Sequence, residues 1–202
     1  DIAVTEDLTV ELPVAAGTAL VEKGSDGHLY FAIRDPAALS LPAYAGRAMS
    51  PDRVRVWWDA SWSRERTSDL ARETSLLQKF LAGLGSVQVE LRVFRNNADG
   101  AVHFDLPRQA DQLAQALGSL VYDGGTQLGA VKLGQGGPRK APDLELLFTD
   151  GVSNFGERLP GSSAVPLMVI NSSNTAEHSL LRGLARNNGG AYFNLARRTA
   201  TG

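Results

Sequence analysis

Five oxygen-bearing side chains, in three short clusters, carry the chemistry this sequence offers. Asp59, Ser61 and Ser63 stand in Asp59-Ala60-Ser61-Trp62-Ser63, Thr126 follows Gly124-Gly125, and Asp150 lies in Thr149-Asp150-Gly151. Each supplies oxygen and none supplies nitrogen or sulfur. That is the donor set of a hard divalent cation, magnesium foremost, with manganese and calcium also suited. Two carboxylates only neutralise such an ion and hydroxyls add no charge, so the ion stays electrophilic and keeps a place for an outside carboxylate. Residues 59, 61 and 63 can wrap their oxygens around one point as a loop turns into a helix. Gly124 and Gly125 let a second loop approach without a side-chain clash.

Plainer readings exist for each residue. Asp and Ser are favoured helix N-caps, but one cap suffices, and capping leaves Asp150 unexplained. Thr126 alone reads as an N-cap, and Asp150-Gly151 alone as a turn. With 13 Asp and 15 Ser, Asp-x-Ser-x-Ser arises by chance about once in fifteen such chains; its position after an apolar strand, with the other two clusters in order behind it, makes coincidence a poor account. Trp62 and Phe155 either form an aromatic rim for a partner surface or pack against neighbouring loops. Asp123, just before the glycine pair, reads as solvated, the alternative being an acceptor behind the ligands. His28, His103 and His178, and the basic pairs Arg139-Lys140 and Arg197-Arg198, read as solvated or structural.

The elements that must position these clusters are legible as periodicity. Val54–Trp58 is a short apolar strand ending at Asp59. Leu70, Thr74, Leu77, Leu81 and Leu84 mark one face of a long helix ending near Gly83 and Gly85. Val87, Val89, Leu91 and Val93 form a strand, with Ala101–Phe104 as a hairpin partner. A second helix carries Ala110, Leu113, Leu117 and Leu120, and another is expected around Leu128 and Val131. Leu144–Phe148 and Val165–Ile170 are apolar strands, Ala176–Arg186 a helix, and Ala191–Leu195 a last strand. Apolar strands alternating with amphipathic helices imply an α/β fold: a doubly wound, mostly parallel sheet with helices on both faces. Ligands bind outside the carboxyl ends of the strands of such a sheet, where all three clusters fall.

Residues 1–50 read differently. Leu8, Val10 and Leu12, and later Leu29, Phe31 and Ile33, alternate with period two around a Gly24–Gly27 turn. This is a short N-terminal β segment with a linker, possible tail of an upstream β domain, ahead of a metal-binding domain over 51–202. A start at Asp1, without methionine or leader, reads as an excised or processed piece.

On the motif residues, the chain resembles the von Willebrand factor A domain family over residues 53–195. Asp59-Ala60-Ser61-Trp62-Ser63 is similar to the first motif of that family's metal-ion-dependent adhesion site (MIDAS), Thr126 to the threonine of the second and Asp150 to the aspartate of the third. The resemblance implies a doubly wound sheet, a divalent metal, and a protein partner whose Asp or Glu completes the metal shell. The β-rich lead-in is similar to bacterial relatives of the inter-alpha-trypsin inhibitor heavy chains, in which a VIT domain precedes the A domain. That family leans towards an extracytoplasmic location.

Composition narrows the field further. Twenty Lys and Arg against 22 Asp and Glu, a formal charge of −2, give no basic stripe for nucleic acid. The longest strongly apolar run, Ala164–Ile170, is far short of the ~20 residues that span a bilayer. Without cysteine there is no disulfide, thiolate metal site or cysteine nucleophile. The function expected is a metal-dependent adhesion or interaction module and not an enzyme. The alternative is a hydrolase, or metal-assisted phosphoryl transfer at the same strand ends. Ser61, Asp150 and His178 do follow the chain order of an α/β-hydrolase triad. Yet Ala60-Ser61-Trp62 lacks the Gly-x-Ser-x-Gly elbow, and no phosphate-cradling Gly-x-x-x-x-Gly-Lys loop occurs.

Overall fold

A computed structural model of the chain describes residues 18–23, 27, 29–34, 50–135 and 141–196. The chain divides into two units, Asp1–Met49 and Ser50–Gly202. In the first, β1 (Thr18–Lys23) pairs antiparallel with β2 (Leu29–Arg34). The Leu29–Ile33 alternation is β2, whereas β1 lies in a stretch without period-two spacing. The Leu8–Leu12 alternation lies outside the described residues.

The second unit is built on β3 (Arg53–Asp59), β4 (Val87–Phe94), β5 (Val102–Leu106), β6 (Leu144–Phe148), β7 (Leu167–Asn171) and β8 (Tyr192–Asn194). They form one sheet in the order β5-β4-β3-β6-β7-β8, parallel throughout except for the antiparallel edge strand β5. The chain therefore runs outward from β3 on one side and then restarts at β6 on the other. Connections leaving β3 and β6 diverge at this reversal of strand order, the place where sheets of this kind bind ligands, outside the carboxyl ends of the strands. Asp59 is the last residue of β3, and Thr149-Asp150 follow β6 directly.

Alternation along the strands makes two apolar layers. Val54, Val56 and Trp58 of β3 face one way, with Val89, Leu91, Leu146 and Phe148, and pack against Leu77 and Leu81 of α2 (Leu70–Leu84) and Leu113 and Leu117 of α3 (Ala110–Gly118). Trp57, Leu147, Leu167 and Val169 face the other way, against Leu181, Leu184 and Ala185 of α4 (His178–Asn187). Asp69 caps α2, its carboxylate accepting from the Arg72 N–H at 3.0 Å. A six-residue helix, α1 (Trp62–Thr67), precedes it. Among the described residues no helix is long and apolar enough to cross a membrane.

The helix expected around Leu128 and Val131 is a single 3-10 turn, Leu128–Ala130. Four glycines between 124 and 134 depress helix propensity, and the backbone finds partners elsewhere. The Gln127 N–H donates to the Arg95 carbonyl at 2.8 Å, and the Gly129 N–H to the Glu157 carbonyl at 2.9 Å. Leu128 and Val131 are nonetheless buried, so their apolar spacing reports the core and not a helix.

Candidate functional site

Backbone hydrogen bonds stitch three loops together where the strand order reverses. The Asp123 N–H donates to the Ala60 carbonyl at 3.1 Å and the Trp62 N–H to the Gly124 carbonyl at 3.2 Å. The Asn154 and Phe155 N–H groups both donate to the Thr126 carbonyl, each at 3.1 Å. The loop after β3, the Gly124–Thr126 loop and the loop after β6 are thus neighbours on one edge of the sheet.

Side chains join them as well. The Ser63 hydroxyl donates to Asp150 Oδ2 at 3.2 Å and lies 3.4 Å from the Ser61 hydroxyl. Asp59 turns back on its own loop, Oδ1 accepting from the Ser61 N–H at 3.0 Å, while Oδ2 accepts from the Thr149 hydroxyl at 2.7 Å. Ser61 occupies the N-cap position of α1, but its hydroxyl makes no capping bond, so the capping alternative does not account for it. The Thr126 hydroxyl bonds to no described residue, and Thr126 is buried.

The electrostatics of the site follow from burial. Asp59 and Asp150 are 0% and 1% exposed. Neither pairs directly with a cationic side chain among the described residues. Burial holds the Asp59 carboxyl above the ordinary carboxylate range, and the neighbouring Asp150 charge adds to the rise. Arg64 and the Thr149 hydrogen bond act the other way. Arg64 itself is wholly buried and bidentate on the equally buried Glu73, at 2.5 and 3.2 Å. Burial alone disfavours its charge, but Glu73 foremost and Asp59 next keep the guanidinium protonated. Ser172 completes this network, its hydroxyl donating to Glu73 Oε1 at 2.7 Å.

Among the described residues there is no group of three or more His, Asp or Glu side chains of the kind that holds a metal. The donor set here is two carboxylates with hydroxyl oxygens. Its fit to a hard cation rests on two buried carboxylates without a direct counter-charge, on a Thr126 hydroxyl with no partner among the described residues, and on serine hydroxyls that meet only each other and Asp150, since buried charge requires compensation. Trp62 and Phe155 flank these loops, 54% and 56% exposed, as does Val121 at 67%. Arg66 stacks its guanidinium 5.0 Å from the Trp62 ring centre.

The hydrolase triad is not assembled. His178 Nδ1 lies 2.6 Å from the Tyr192 hydroxyl, and the Ser61 hydroxyl meets only Ser63 among the described residues.

Several residues carry a part that the sequence reading did not assign. Thr149 adjoins Asp150 and orients Asp59, which its place beside a proposed ligand could have suggested. Asn96 and Asn154 bind the Gly124–Thr126 loop, and Arg64 with Glu73 lies beneath the site. No sequence pattern marks these last four.

No family model and no curated protein sequence matches the chain. Solved structures do. An aerotolerance-related membrane protein from Bacteroides fragilis superposes with a TM-score of 0.54 at 16% identity, covering 71% of this chain and 90% of that one. The conserved protein BatB from Bacteroides thetaiotaomicron gives 0.50 at 15%, covering 71% and 89%. A von Willebrand factor type A protein from Catenulispora acidiphila gives 0.46 at 15%, covering 74% and 39%. At such identities the likeness is one of fold. Together with the strand order, the first two make this a mostly parallel, doubly wound α/β domain, of the Rossmann-like class to which von Willebrand factor A domains belong.

Proposed function

We propose that residues 50–202 form a cation-dependent protein-binding module. A divalent cation, magnesium foremost, is held by Asp59, Ser61, Ser63, Thr126 and Asp150, the donors of a MIDAS site. A partner's Asp or Glu carboxylate fills the remaining position, and Trp62 and Phe155 contact the partner around it. The role is one of interaction or adhesion and not of catalysis.

The observation that carries this reading is the contact of Ser63 with Asp150. It joins the first and third clusters where the strand order reverses, with both carboxylates buried. A cation there supplies the positive charge that two buried carboxylates call for. Hydroxyl donors leave that charge undiminished, so the ion remains attractive to an incoming carboxylate. The exposed rings of Trp62 and Phe155 add apolar area around a charged centre, as at the anchor positions of interfaces.

Calorimetric titration of the full chain with magnesium or manganese chloride tests the reading. One cation per chain is expected, lost in an Asp59→Ala Ser61→Ala double variant. With manganese loaded, an aspartate-containing peptide should lower the water-proton relaxation enhancement by displacing a bound water. Absence of cation binding, or equal binding by the double variant, overturns it.

A further inference from the structure

The Gly124–Thr126 loop is gripped from two sides by side-chain amides. Asn96, just after β4, accepts the Gly125 N–H on its Oδ1 at 2.9 Å. Asn154, in the loop after β6, accepts the Thr126 N–H on its Oδ1 at 2.9 Å. The amide orientations follow from the bonds, because a backbone N–H demands an acceptor and only the oxygen of each amide offers one. Two successive peptide groups are therefore held by two different loops. The Thr126 carbonyl is fixed too, by the Asn154 and Phe155 N–H groups and by the Ser153 hydroxyl at 3.3 Å. Gly125 is closely enclosed: a Cβ there would lie 2.8 Å from Asn154 Oδ1 and 3.1 Å from Asn96 Oδ1. The missing side chain is the space the two amides occupy.

We propose that Asn96 and Asn154 are positioning residues for Thr126, fixing its backbone so that its hydroxyl is set for the cation before the cation arrives. The inference rests on the proposed cation site. Neither asparagine is itself a ligand. Each acts through the loop, as groups behind first ligands commonly do, with losses of about 10- to 100-fold in metal affinity on mutation. Asn154 is exposed and Asn96 half-buried, so their contribution is to local order and not to the core. A loop already ordered loses less freedom on binding, which is what raises affinity.

The test uses the full chain and two measurements: cation affinity by calorimetry with manganese chloride, and backbone amide exchange of Gly125 and Thr126 by NMR without cation. Asn154→Ala should weaken manganese binding at least tenfold and speed Thr126 exchange at least tenfold, with an unchanged thermal midpoint in the cation-free protein. Asn96→Ala should do the same at Gly125. Asn154→Asp keeps the acceptor and should restore slow Thr126 exchange. Gly125→Ala, which displaces both amides, should reproduce the losses of the two alanine variants. Wild-type binding matched within twofold by Asn154→Ala, Asn96→Ala and Gly125→Ala overturns the positioning role. If the wild type binds no cation, the cation reading fails by itself. Thr126 exchange then still decides the clamp, which falls if wild type and Asn154→Ala exchange alike.

Discussion

Ser63 and Asp150 meet at 3.2 Å across 87 residues of chain, the serine donating to the carboxylate. One belongs to the helix that follows β3, the other to the loop that follows β6. If both serve one cation, their contributions are coupled. Ser63→Ala and Asp150→Ala should each lower manganese affinity at least tenfold, and the double variant should lose less than the sum of the two in free energy. Calorimetry on the four proteins closes the cycle, and full additivity would argue against a shared ligand.

Asp59 is expected to act on stability in the opposite sense from its proposed role in cation binding. Its ionised form is buried beside Asp150 and is costly without a cation. Asp59→Asn removes the charge, and its one amide oxygen can still accept the Ser61 N–H while its NH2 donates to the Thr149 hydroxyl oxygen. The cation-free variant should gain about 1 kcal/mol, some 2–4 °C in thermal midpoint for a domain of this size. It should also lose the stabilisation that added magnesium gives the wild type. Differential scanning calorimetry with and without magnesium reads both.

Thr149 holds Asp59 through a single hydroxyl, which also accepts the Gly151 N–H at 3.1 Å. Thr149→Val preserves shape and removes both bonds, leaving buried polar groups unpaired. A loss of about 1–3 kcal/mol in urea unfolding is expected, with weaker cation binding because Asp59 is no longer oriented.

Arg64 and Glu73 form a bidentate pair with no exposure on either side. Breaking it on one side should cost more than removing it whole. Arg64→Met is expected to lose about 3–5 kcal/mol. Arg64→Met with Glu73→Gln, which keeps an acceptor for Ser172, should recover at least half of that in chemical denaturation.

Glu90 is expected to lend stability that acid removes. Partial burial by itself raises its pKa, but hydrogen bonds from Arg55 at 3.1 Å and Arg92 at 2.5 Å win, holding it below its ordinary 4.5. A depressed carboxylate contributes stability above its unfolded pKa and loses it as pH falls through the folded value. The stability gap between wild type and Glu90→Gln should therefore be full at pH 7, shrink below 4.5 and close in stronger acid. Urea midpoints across that range decide it.

The frame of the fold is legible in sequence because its signals are local. Period-two runs such as Val87–Val93 and the Leu77–Leu81 spacing report a buried face whatever they pack against. The ligand candidates were visible for a related reason: Asp59, Ser61 and Ser63 repeat at a spacing that a strand end can use. Long-range pairing was not visible. Arg55 lies in an apolar strand yet is 1% exposed, its charge met by Glu145 ninety positions away at 3.0 Å. Arg64 and Glu73 look like surface charges on helices, and only the folded packing makes them partners. The Leu128–Val131 spacing misled because helical periodicity and burial under a neighbouring layer leave the same trace when glycines interrupt the chain.

The reversal of strand order between β3 and β6 has a mechanical consequence. Asp59, Ser61 and Ser63 belong to the half of the sheet that grows towards β5, and Asp150 to the half that grows towards β8. An ion gripped by both would act as a rivet across the seam, so prying the halves apart, by force or by proteolysis in the connection, would release it.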